Sequence, residues 1–543
     1  MSTASAAEGF DQDWLVIGSG FGGSVSALRL AEKGYRVAVL EAGRRFADDE
    51  LPTSAWQLRR FLWAPKLGLQ GILRITRLRH INILSGTGVG GGSLVYAATL
   101  YRAPRAFFEH PQWRDLADWQ RLLAPHYDTA ERMLGVGDVP FESPADGWLR
   151  QIGESLGCEQ TFQHTRVGIF FGEPGRTVPD PFFDGEGPAR TGCTRCGSCM
   201  LGCPTGAKNT LVRNYLHLAE RRGASVLALR RAVDVRPAGA PDGRDGYLVT
   251  HERTGAWLRH DRRTLRVRGV VIAAGALGTN ELLAHCKLAG SLPGLSERLG
   301  ALVRTNSESM LAVTMPRGTD VTHSVSITGS IFPDEQTHVE ALTLGPEMDA
   351  FVLNYGPLVG AGNRLTRPLR GLARVFRHPV ASLGHLVRPR GWSRRTLLVG
   401  LMQTADNALR FVARRTRLGR GVKIDTQQDE RNPLPTFYPL ANRIAEWLAQ
   451  RTGGVARSTL ADVMFNVPTT AHILGGAVIG ADAGSGVVNA RQEAFGYRNL
   501  LVCDGSVVPA NPGVNPSLTI TAMAELAMTH VPRKAAPTEE MKT

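Results

Sequence analysis

The chain has 543 residues, 43% of them hydrophobic, which favours a globular protein of roughly two to four domains and excludes an intrinsically disordered one. Lys and Arg exceed Asp and Glu by 63 to 49, but no nucleic-acid-binding motif accompanies the net charge of +14, so nucleic acid is not an expected partner. No apolar run reaches the roughly 18 residues of a membrane-spanning helix, and residues 1–14 lack the basic and apolar parts of a secretory signal, so we expect a cytoplasmic protein.

The first predicted element is a nucleotide-binding unit. Residues 14–17 (WLVI) indicate a buried strand, residues 18–23 (GSGFGG) satisfy GxGxxG, residues 24–33 indicate a helix, and a second strand at 36–40 ends at Glu41. The glycines permit a tight turn and close approach of a diphosphate to the positive end of the helix. Glu41 stands where a carboxylate accepts from a ribose 2′-hydroxyl, which disfavours NADP but leaves both NAD and FAD open.

Two later glycine-rich segments favour FAD. Residues 86–95 (GTGVGGGSLV) place five glycines within seven positions, which leaves backbone N–H groups bare enough to lie against a flat ring and its phosphates. Residues 271–279 (VIAAGALGT) indicate a buried strand that turns into a helix beside the nucleotide.

Four cysteines fall within eleven residues. Cys193, Cys196, Cys199 and Cys203 have the spacing of bacterial ferredoxins, whose thiolates hold an iron–sulfur cluster, and zinc takes the same ligands. No second cysteine run exists to complete a two-cluster pattern. A reduced cysteine-rich loop near the flavin domain is the alternative, and both interpretations stay open.

The positive charge is concentrated in two segments. Residues 364–420, the basic segment, contain fourteen Arg and one acid, and residues 51–80 contain six Lys or Arg and no acid. Within them, residues 56–63 (WQLRRFLW), 369–377 (LRGLARVFR) and 409–415 (LRFVARR) show the pattern of basic amphipathic helices. Such helices can rest on anionic lipid beside a substrate entrance. A solvated face or a subunit contact is the alternative.

Three segments near the C-terminus complete the pattern: residues 470–476 (TAHILGG), 499–506 (NLLVCDGS) and 513–525 (GVNPSLTITAMAE). With the glycine-rich segments above, their order resembles the glucose–methanol–choline (GMC) oxidoreductase family. Within that family the chain is most similar to the branch of bacterial cholesterol oxidases with non-covalent FAD. The resemblance spans residues 14–525 and is loosest over residues 300–465.

The resemblance implies catalytic roles that the residue types can support. His472 would accept the hydroxyl proton while hydride leaves the same carbon for the flavin. Asn515 would donate to the developing alkoxide or the flavin edge, and Pro516 would begin a helix whose positive end faces the flavin. Glu340 would be the base that moves a ring double bond in a sterol, with Glu347 as the second choice and an edge-strand surface Glu as the alternative interpretation.

The resemblance also implies the fold: an α/β protein (α+β overall) with a Rossmann-like FAD-binding domain interleaved with a sheet-based substrate domain. The expected FAD-binding domain comprises residues 11–50, 205–300 and 485–532 with the flavin-contacting loop 86–98, and the substrate domain comprises 51–204 and 301–484, including the Cys-rich loop 193–203. The residues expected to bind FAD are Gly18, Gly20, Phe21, Gly22, Gly23, Glu41, Gly86, Gly88, Gly90, Gly91, Gly92, Ser93, Val233, Ala274, Gly275, Asp504, Gly505, Asn515, Pro516 and Ser517.

The implied function is FAD-dependent oxidation of an alcohol to a carbonyl, with a sterol or another bulky apolar alcohol as substrate and O2 or another redox acceptor as partner. One alternative is a dehydrogenase of a different alcohol that passes electrons through an iron–sulfur cluster. The other is a flavin-bearing, membrane-associated electron-relay or binding protein without alcohol chemistry.

Overall fold

The computed structural model describes residues 9–416, 421–430 and 432–535. Two of the predictions therefore fall partly outside the described residues. These are the signal-sequence prediction, at residues 1–8, and the end of the basic segment, at residues 417–420.

Local sequence sets the ends of several helices. Ser143 caps one helix by accepting from the N–H of Asp146, whose carboxylate accepts in turn from the Ser143 N–H at 2.7 Å. The helices are α1 (Phe21–Glu32), α2 (Leu58–Phe61), α3 (Arg105–Phe108), α4 (Trp119–Leu134), α5 (Pro144–Leu156), α6 (Tyr215–Arg221), α7 (Gly275–Ala289), α8 (Thr366–Arg377), α9 (Pro379–Val387), α10 (Pro439–Thr452), α11 (Leu460–Phe465) and α12 (Ser517–Thr529).

The strands form two large sheets and several short ribbons. They are β1 (Gln12–Ile17), β2 (Val37–Leu40), β3 (Trp63–Ala64), β4 (Leu69–Gln70), β5 (Leu73–Arg77), β6 (Asn82–Gly86), β7 (Gly137–Asp138), β8 (Gln163–His164), β9 (Arg166–Val167), β10 (Thr177–Val178), β11 (Arg190–Thr191), β12 (Ser225–Leu227), β13 (Arg230–Pro237), β14 (Tyr247–Arg253), β15 (Arg263–Ile272), β16 (Ser309–Thr314), β17 (Ile327–Asp334), β18 (Thr337–Thr343), β19 (Tyr355–Pro357), β20 (Thr396–Gln403), β21 (Leu409–Arg415), β22 (Val422–Gln428), β23 (Val455–Thr459), β24 (Thr469–Thr470) and β25 (Leu500–Val502).

The first large sheet contains the nucleotide-binding unit. Its strands β12, β2, β1 and β15 are neighbours in that order and run parallel, and β25 joins β15 in parallel. Strands β14 and β13 extend the sheet in antiparallel fashion from the first half of β15. The central strands are apolar and buried, as parallel strands covered on both faces are. The predicted α/β fold with its strand–helix–strand unit is thus confirmed.

The second large sheet is antiparallel, in the order β19-β23-β16-β20-β18-β17-β8. On β18, Val339 and Ala341 pack in an apolar core with residues of α5 and α10. Because successive side chains on a strand point to opposite faces, Glu340 lies on the other face of this sheet.

One helical prediction was wrong. Residues 409–415 form the strand β21, which pairs with β22 in antiparallel fashion. Leu409 and Phe411 are buried while Arg410 between them is exposed, so a period of two governs this stretch. Residues 369–377 lie in α8 as expected, whereas the helix within residues 56–63 is limited to the single turn α2.

Several of the chain segments that carry predicted site residues meet at one edge of the first sheet. Strand β1 leads into Gly18, β15 into Ala273 and β25 into Cys503, at the carboxyl ends where open α/β sheets bind their ligands. Strand β6 leads into the second glycine cluster and pairs with β24, which ends just before His472.

Candidate active site

The nucleotide fingerprint forms a tight turn between β1 and α1. Gly18 has a φ of +105°, and a Cβ there would lie 2.2 Å from the carbonyl oxygen of Ala273. A Cβ at Gly22 would lie 1.7 Å from the carbonyl oxygen of Cys503. At Gly20, by contrast, a Cβ would meet no atom of the described chain within 4 Å. This open space adjoins the first turn of α1, whose N–H groups and positive dipole end suit a diphosphate.

Glu41 ends up beside this turn, directly after β2. Its Oε2 accepts from the N–H (3.1 Å) and the hydroxyl (2.7 Å) of Ser19, and its Oε1 accepts from the N–H of Gly43 at 2.7 Å. Burial raises the pKa of Glu41, although these donors favour its charged form. Val233 lies on β13 at a bulge in the pairing with β14.

The second glycine cluster packs directly on the first. A Cβ at Gly91 would lie 2.6 Å from the Cα of Gly20, and the N–H of Gly90 donates to Ser19 Oγ at 3.0 Å. The hydroxyl of Ser93 donates to the carbonyl of Gly90 at 2.7 Å, which fixes the shape of the loop. The cluster therefore borders the open space beside Gly20.

Asp504 joins two other segments that were expected to contact the flavin. Its Oδ2 accepts from the N–H of Gly275 (2.8 Å) and the hydroxyl of Thr279 (2.5 Å), and its Oδ1 accepts from the N–H of Ser506 at 2.8 Å. Burial raises the pKa of Asp504. The carboxylate thus braces the start of α7 against the turn after β25, which contains Gly505.

His472 is held by a carboxylate that sequence analysis did not single out. Its Nδ1 lies 2.5 Å from Glu308 Oε2, and the other oxygen of Glu308 accepts from the N–H of Ala471. A carboxylate at Nδ1 keeps the hydrogen on that nitrogen, so Nε2 carries the free lone pair. Burial lowers the pKa of His472, but the carboxylates of Glu308 and Glu340 outweigh burial and raise it above its ordinary value.

Glu340 and Asn515 lie together in the same region. The Nδ2 of Asn515 donates to Glu340 Oε1 at 3.4 Å. Burial raises the pKa of Glu340 to about 7, against smaller opposing effects of His472 and Asn515. Glu340 Oε2 and Asn515 Oδ1 are buried without a hydrogen-bond partner among the described residues. Because an unpaired buried polar atom costs about 1–3 kcal/mol, two such atoms in one place indicate a position completed by a ligand.

His338 is a second residue that sequence analysis missed. It lies two positions before Glu340 on β18, with its ring stacked on Phe332 (4.8 Å between centroids) and edge-on to Tyr101 (5.0 Å). Burial, with a smaller contribution from the charge of His472, lowers the pKa of His338 to about 3, so the ring is neutral. Neither of its nitrogens has a hydrogen-bond partner within the described chain.

The signals for both missed residues are visible in the sequence in retrospect. Residues 305–308 (TNSE) are a polar run directly before the apolar strand β16, and all four are buried. His338 and Glu340 share one face of a strand whose intervening side chain, Val339, is apolar. Polar side chains at positions whose neighbours predict burial indicate a site or a buried hydrogen-bond network.

Asn515 directly precedes the start of α12. Pro516 occupies the cap position and Ser517 is the first helical residue. In the described structure no side chain caps this end. The first N–H groups of α12 and its positive dipole end therefore remain for an acceptor such as the flavin N1–C2=O edge. Glu347, the second choice for a base, is exposed on a short 3-10 stretch (Pro346–Asn354).

The clustered cysteines line a cavity of about 10 Å³ together with Lys208. Cys199 and Cys203 are buried, Cys193 is half-buried and Cys196 is exposed, and all four are free. Burial raises the pKa of Cys193 to about 11 and that of Cys199 to about 12, so both are protonated thiols. In the part of the chain that the structure describes, no group of three or more His, Cys, Asp or Glu side chains is placed to hold a metal ion. The structure therefore gives no support to the iron–sulfur or zinc interpretation.

The basic segment exposes apolar side chains between its arginines. On α8, Leu369 and Phe376 are 65% and 77% exposed, and Val380 on α9 is 84% exposed. In residues 51–80, Leu67 is 76% exposed. Among the described residues, no helix combines the length and the apolar character needed to cross a membrane.

Comparisons with known proteins agree with this geometry. Family profiles described as GMC oxidoreductase match residues 189–299 and 401–524, and one described as an NAD(P)-binding Rossmann-like domain matches residues 16–47. The chain is 46% identical to a cholesterol oxidase of Mycobacterium tuberculosis over 96% of this chain and 92% of that protein. It is 43% identical to a cholesterol oxidase of Acinetobacter baumannii over 98% and 97% of the two chains.

The fold itself also matches a solved structure. A crystal structure of pyridoxine 4-oxidase from Mesorbium loti superposes with a TM-score of 0.61 at 15% identity, covering 95% of this chain and 99% of that one. The chain belongs to the GMC oxidoreductase family. It is an FAD-dependent oxidoreductase that acts on the CH–OH group of its donor, which confirms the family, the cofactor and the class of reaction inferred from the sequence.

Proposed function

We propose that the protein oxidises the hydroxyl-bearing carbon of a sterol, or of a closely similar bulky apolar alcohol, to a carbonyl. The observation that carries this proposal is the meeting of His472, Glu340 and Asn515, which come from separate segments of the chain and leave buried acceptors unpaired within the described structure. The identity of 46% to a cholesterol oxidase over nearly the whole chain supports a sterol as the substrate.

The residues present fit FAD. The open space at Gly20 suits the diphosphate, Glu41 suits the ribose, and the uncapped start of α12 suits the flavin edge. When bound, FAD supplies the acceptor for the hydride that leaves the alcohol carbon.

His472 is the proposed proton acceptor. Its Nε2 takes the hydroxyl proton while the hydride departs from the same carbon, so the C–OH group becomes C=O and the ring becomes an imidazolium. The carboxylate of Glu308 stabilises that imidazolium without taking the proton itself. The Nδ2 of Asn515 stabilises the alkoxide character that develops on the oxygen.

Glu340 is the proposed base for a second step, the movement of a ring double bond into conjugation with the new carbonyl. The step takes a proton from one ring carbon and returns it to another, so it needs a carboxyl group that both accepts and releases protons near neutral pH. A pKa of about 7, raised by burial, suits this shuttle.

We propose O2 as the final electron acceptor, because the relatives with the highest identities reported above are named oxidases. The alternative of an iron–sulfur relay finds no support in the cysteine loop, so the proposal does not use one.

The division into domains follows the two large sheets. We propose that residues 11–50, 205–300 and 485–532 form the FAD-binding domain, because β1, β2, β12, β13, β14, β15 and β25 all lie within them. The substrate domain then comprises residues 51–204 and 301–484, which supply every strand of the second sheet.

We further propose that α8 and α9 rest on anionic membrane, where an apolar alcohol is found. Exposed apolar side chains among arginines are what such contact requires.

A pelleting assay with phosphatidylserine vesicles tests this membrane contact: binding should weaken at high salt and fall in a Leu369→Ser, Phe376→Ser variant. A Leu122→Ser variant, altered at a 39% exposed position on α4, serves as control and should bind like the native protein. Equal pelleting with neutral and anionic vesicles would contradict the proposal.

The decisive experiment for the function is anaerobic reduction of the bound flavin by a panel of sterols, long-chain alcohols and sugars. Sterols should bleach the flavin bands fastest, and the product should show the ultraviolet absorption of a conjugated enone. Bleaching by long-chain alcohols but not by sterols would overturn the sterol assignment. Bleaching by none of the alcohols would favour the electron-relay alternative.

A further inference from the structure

A short segment, residues 302–308, lies between the two loops that carry His472 and Asn515; we call it the bracket. On the side of His472, Arg304 and Leu474 exchange backbone hydrogen bonds, each of 2.9 Å. The bracket then continues into Glu308, whose two carboxylate oxygens contact Nδ1 of His472 and the N–H of the preceding residue. The catalytic loop is thus held by both backbone and side chain of the bracket.

On the side of Asn515, the bracket acts through Asn306. The N–H of Asn306 donates to Asn511 Oδ1 at 2.8 Å. Its side-chain oxygen accepts from the N–H of Gly513 at 2.8 Å, and its side-chain nitrogen donates to the carbonyl of Val514 at 3.0 Å. Both the oxygen and the nitrogen of this side-chain amide are therefore hydrogen-bonded to the loop that ends in Asn515.

The bracket has an unusual backbone. Asn306 and Ser307 both have positive φ, +58° and +44°, and both are fully buried. Two consecutive non-glycine residues in this region are uncommon and persist where their surroundings hold them. Ser307 is held by hydrogen bonds from the side chain of Asn407 (2.9 Å) and with the hydroxyl of Tyr438 (3.2 Å).

We propose that the bracket is a positioning element for the reaction proposed above, in which Glu308 fixes the tautomer and orientation of His472 while Asn306 fixes the loop that carries Asn515. One short segment would then position both the proton acceptor and the amide that act on the same hydroxyl group. This inference rests on the proposed roles of His472 and Asn515, and it assigns functions to two residues that do not touch the substrate themselves.

The contact between the Glu308 carboxyl group and Nδ1 of His472 leads to a prediction about pH dependence. The titratable groups that face His472 are Glu308 from the bracket and Glu340 and His338 from β18. His472 must be neutral to accept a proton, so the rate of flavin reduction falls below its pKa. The negative charge of Glu308 raises that pKa, and its removal should move the acid limb of the rate profile to lower pH.

The first test compares native protein with Glu308→Gln and Glu308→Asp in anaerobic stopped-flow flavin reduction by a sterol, measured against pH. Gln presents either an oxygen or an NH2 group to Nδ1, so it no longer dictates which ring nitrogen carries the hydrogen. We expect the Gln variant to lose roughly tenfold to hundredfold in rate, part of the 10²–10⁴-fold that general-base catalysis contributes, with its acid limb displaced downward. The Asp variant should keep the acid limb near its native position, because the charge remains.

Glu335→Gln, a change at an exposed residue of the turn between β17 and β18, is the matched control and should behave like the native protein. The FAD spectrum and thermal unfolding of each variant show whether it is folded. A folded Glu308→Gln protein with an unmoved acid limb would overturn the role of Glu308, whatever its rate. If that variant does not fold, the Asp variant still decides: a reduced rate with a native acid limb supports the inference, and an undiminished rate contradicts it.

The second test is a double-mutant cycle between Asn306→Gly and Asn515→Ala. Glycine keeps the positive φ of position 306 without strain but removes the side-chain bonds to Gly513 and Val514. If Asn306 acts by placing Asn515, the double variant should be little slower than Asn515→Ala alone. Losses that multiply independently would overturn this half of the inference. Should Asn306→Gly not fold, Asn306→Asp replaces it, since Asp tolerates positive φ but cannot donate to Val514.

These experiments distinguish failure of this inference from failure of the proposed function. If sterols do not reduce the flavin of the native protein, the function fails before any variant is measured. If they do, and the Glu308 and Asn306 variants behave like the native protein, the inference alone fails.

Discussion

Two regions of this molecule gather reactive side chains at high density, and they differ in how those side chains are paired. Around His472, charged and polar groups from separate segments interact in pairs, and buried acceptors of Glu340 and Asn515 remain unpaired within the described chain. In the cysteine loop, burial raises the pKa of the Cys199 thiol, and Cys199 and Cys203 share an apolar cluster with residues such as Val167 and Ile169.

The difference shows what turns a cluster of reactive residues into a site. The cysteine cluster is defined by local spacing in the sequence, yet its side chains are not placed for a metal in the described structure, and burial raises the pKa values of Cys193 and Cys199. The residues around His472 are scattered over more than 200 positions of sequence. Nearby carboxylates nevertheless raise the pKa of His472 against the effect of burial, and unpaired oxygens of Glu340 and Asn515 remain for a ligand. Coupled charges and unpaired atoms are therefore better indicators of function here than spacing.

The largest effect should come from His472. Replacing it by Ala removes the proposed proton acceptor, and we expect a loss near the upper part of the 10²–10⁴-fold range of general-base catalysis, with FAD still bound. Single-turnover flavin reduction measures this loss, and the flavin spectrum confirms cofactor retention. A variant that reduces its flavin at the native rate would end the assignment of this histidine.

The second-largest effect should come from Glu340 and should be limited to the movement of the double bond. Glu340→Gln keeps the shape of the side chain but removes the base, so the conjugated enone should no longer form while the oxidation changes by less than about tenfold, or ~1.4 kcal/mol. In the proposed mechanism the double-bond shift needs the carboxylate form of Glu340, so its rate should fall as pH decreases through about 7, the raised pKa of this residue. Product analysis by ultraviolet absorption separates the two steps, and an enone formed at the native rate by the variant would contradict the role.

The sequence predicted the parts of this molecule that are encoded locally. Residues 14–41 could be interpreted as strand, turn, helix, strand and carboxylate because each element is short and its spacing is fixed by backbone geometry. The stretch 409–415 was assigned wrongly because Arg recurs at intervals that suit both a helix and a strand, and only its pairing with β22 decides between them.

The candidate site was predicted only in part for a related reason. His472 and Asn515 stand in motifs that resemble a family. Glu308 stands in no motif, and only the fold brings it within 2.5 Å of His472 across 164 positions of sequence. A contact of that range has no local signature. Sequence alone therefore predicts the proposed proton acceptor but not the carboxylate that we propose orients it.

A smaller effect is expected at Gly20, which borders open space, and it can be compared with the effect at Gly22, which is closely packed. Gly20→Ala places its methyl group where no described protein atom lies within 4 Å, so the protein should fold but bind FAD about tenfold more weakly, or ~1.4 kcal/mol. Gly22→Ala places a methyl group 1.7 Å from the Cys503 carbonyl oxygen, so it should instead prevent stable folding. Cofactor titration and thermal unfolding of the two variants check this contrast, and equal behaviour of both would show that Gly20 does not border a ligand.

The smallest effect should come from the cysteine loop. A large effect there would contradict the contrast drawn between this loop and the region around His472. Cys196 is the exposed member of the four, so Cys196→Ser should change stability by less than about 0.5 kcal/mol and flavin reduction by less than about twofold. If the thiols instead held an iron–sulfur cluster in the electron path, the same change would remove a ligand, bleach a broad visible absorption and slow transfer to the final acceptor. Measuring iron and acid-labile sulfide alongside turnover separates these cases. If the cysteines held a cluster, the cluster content and the turnover rate of this variant would fall together.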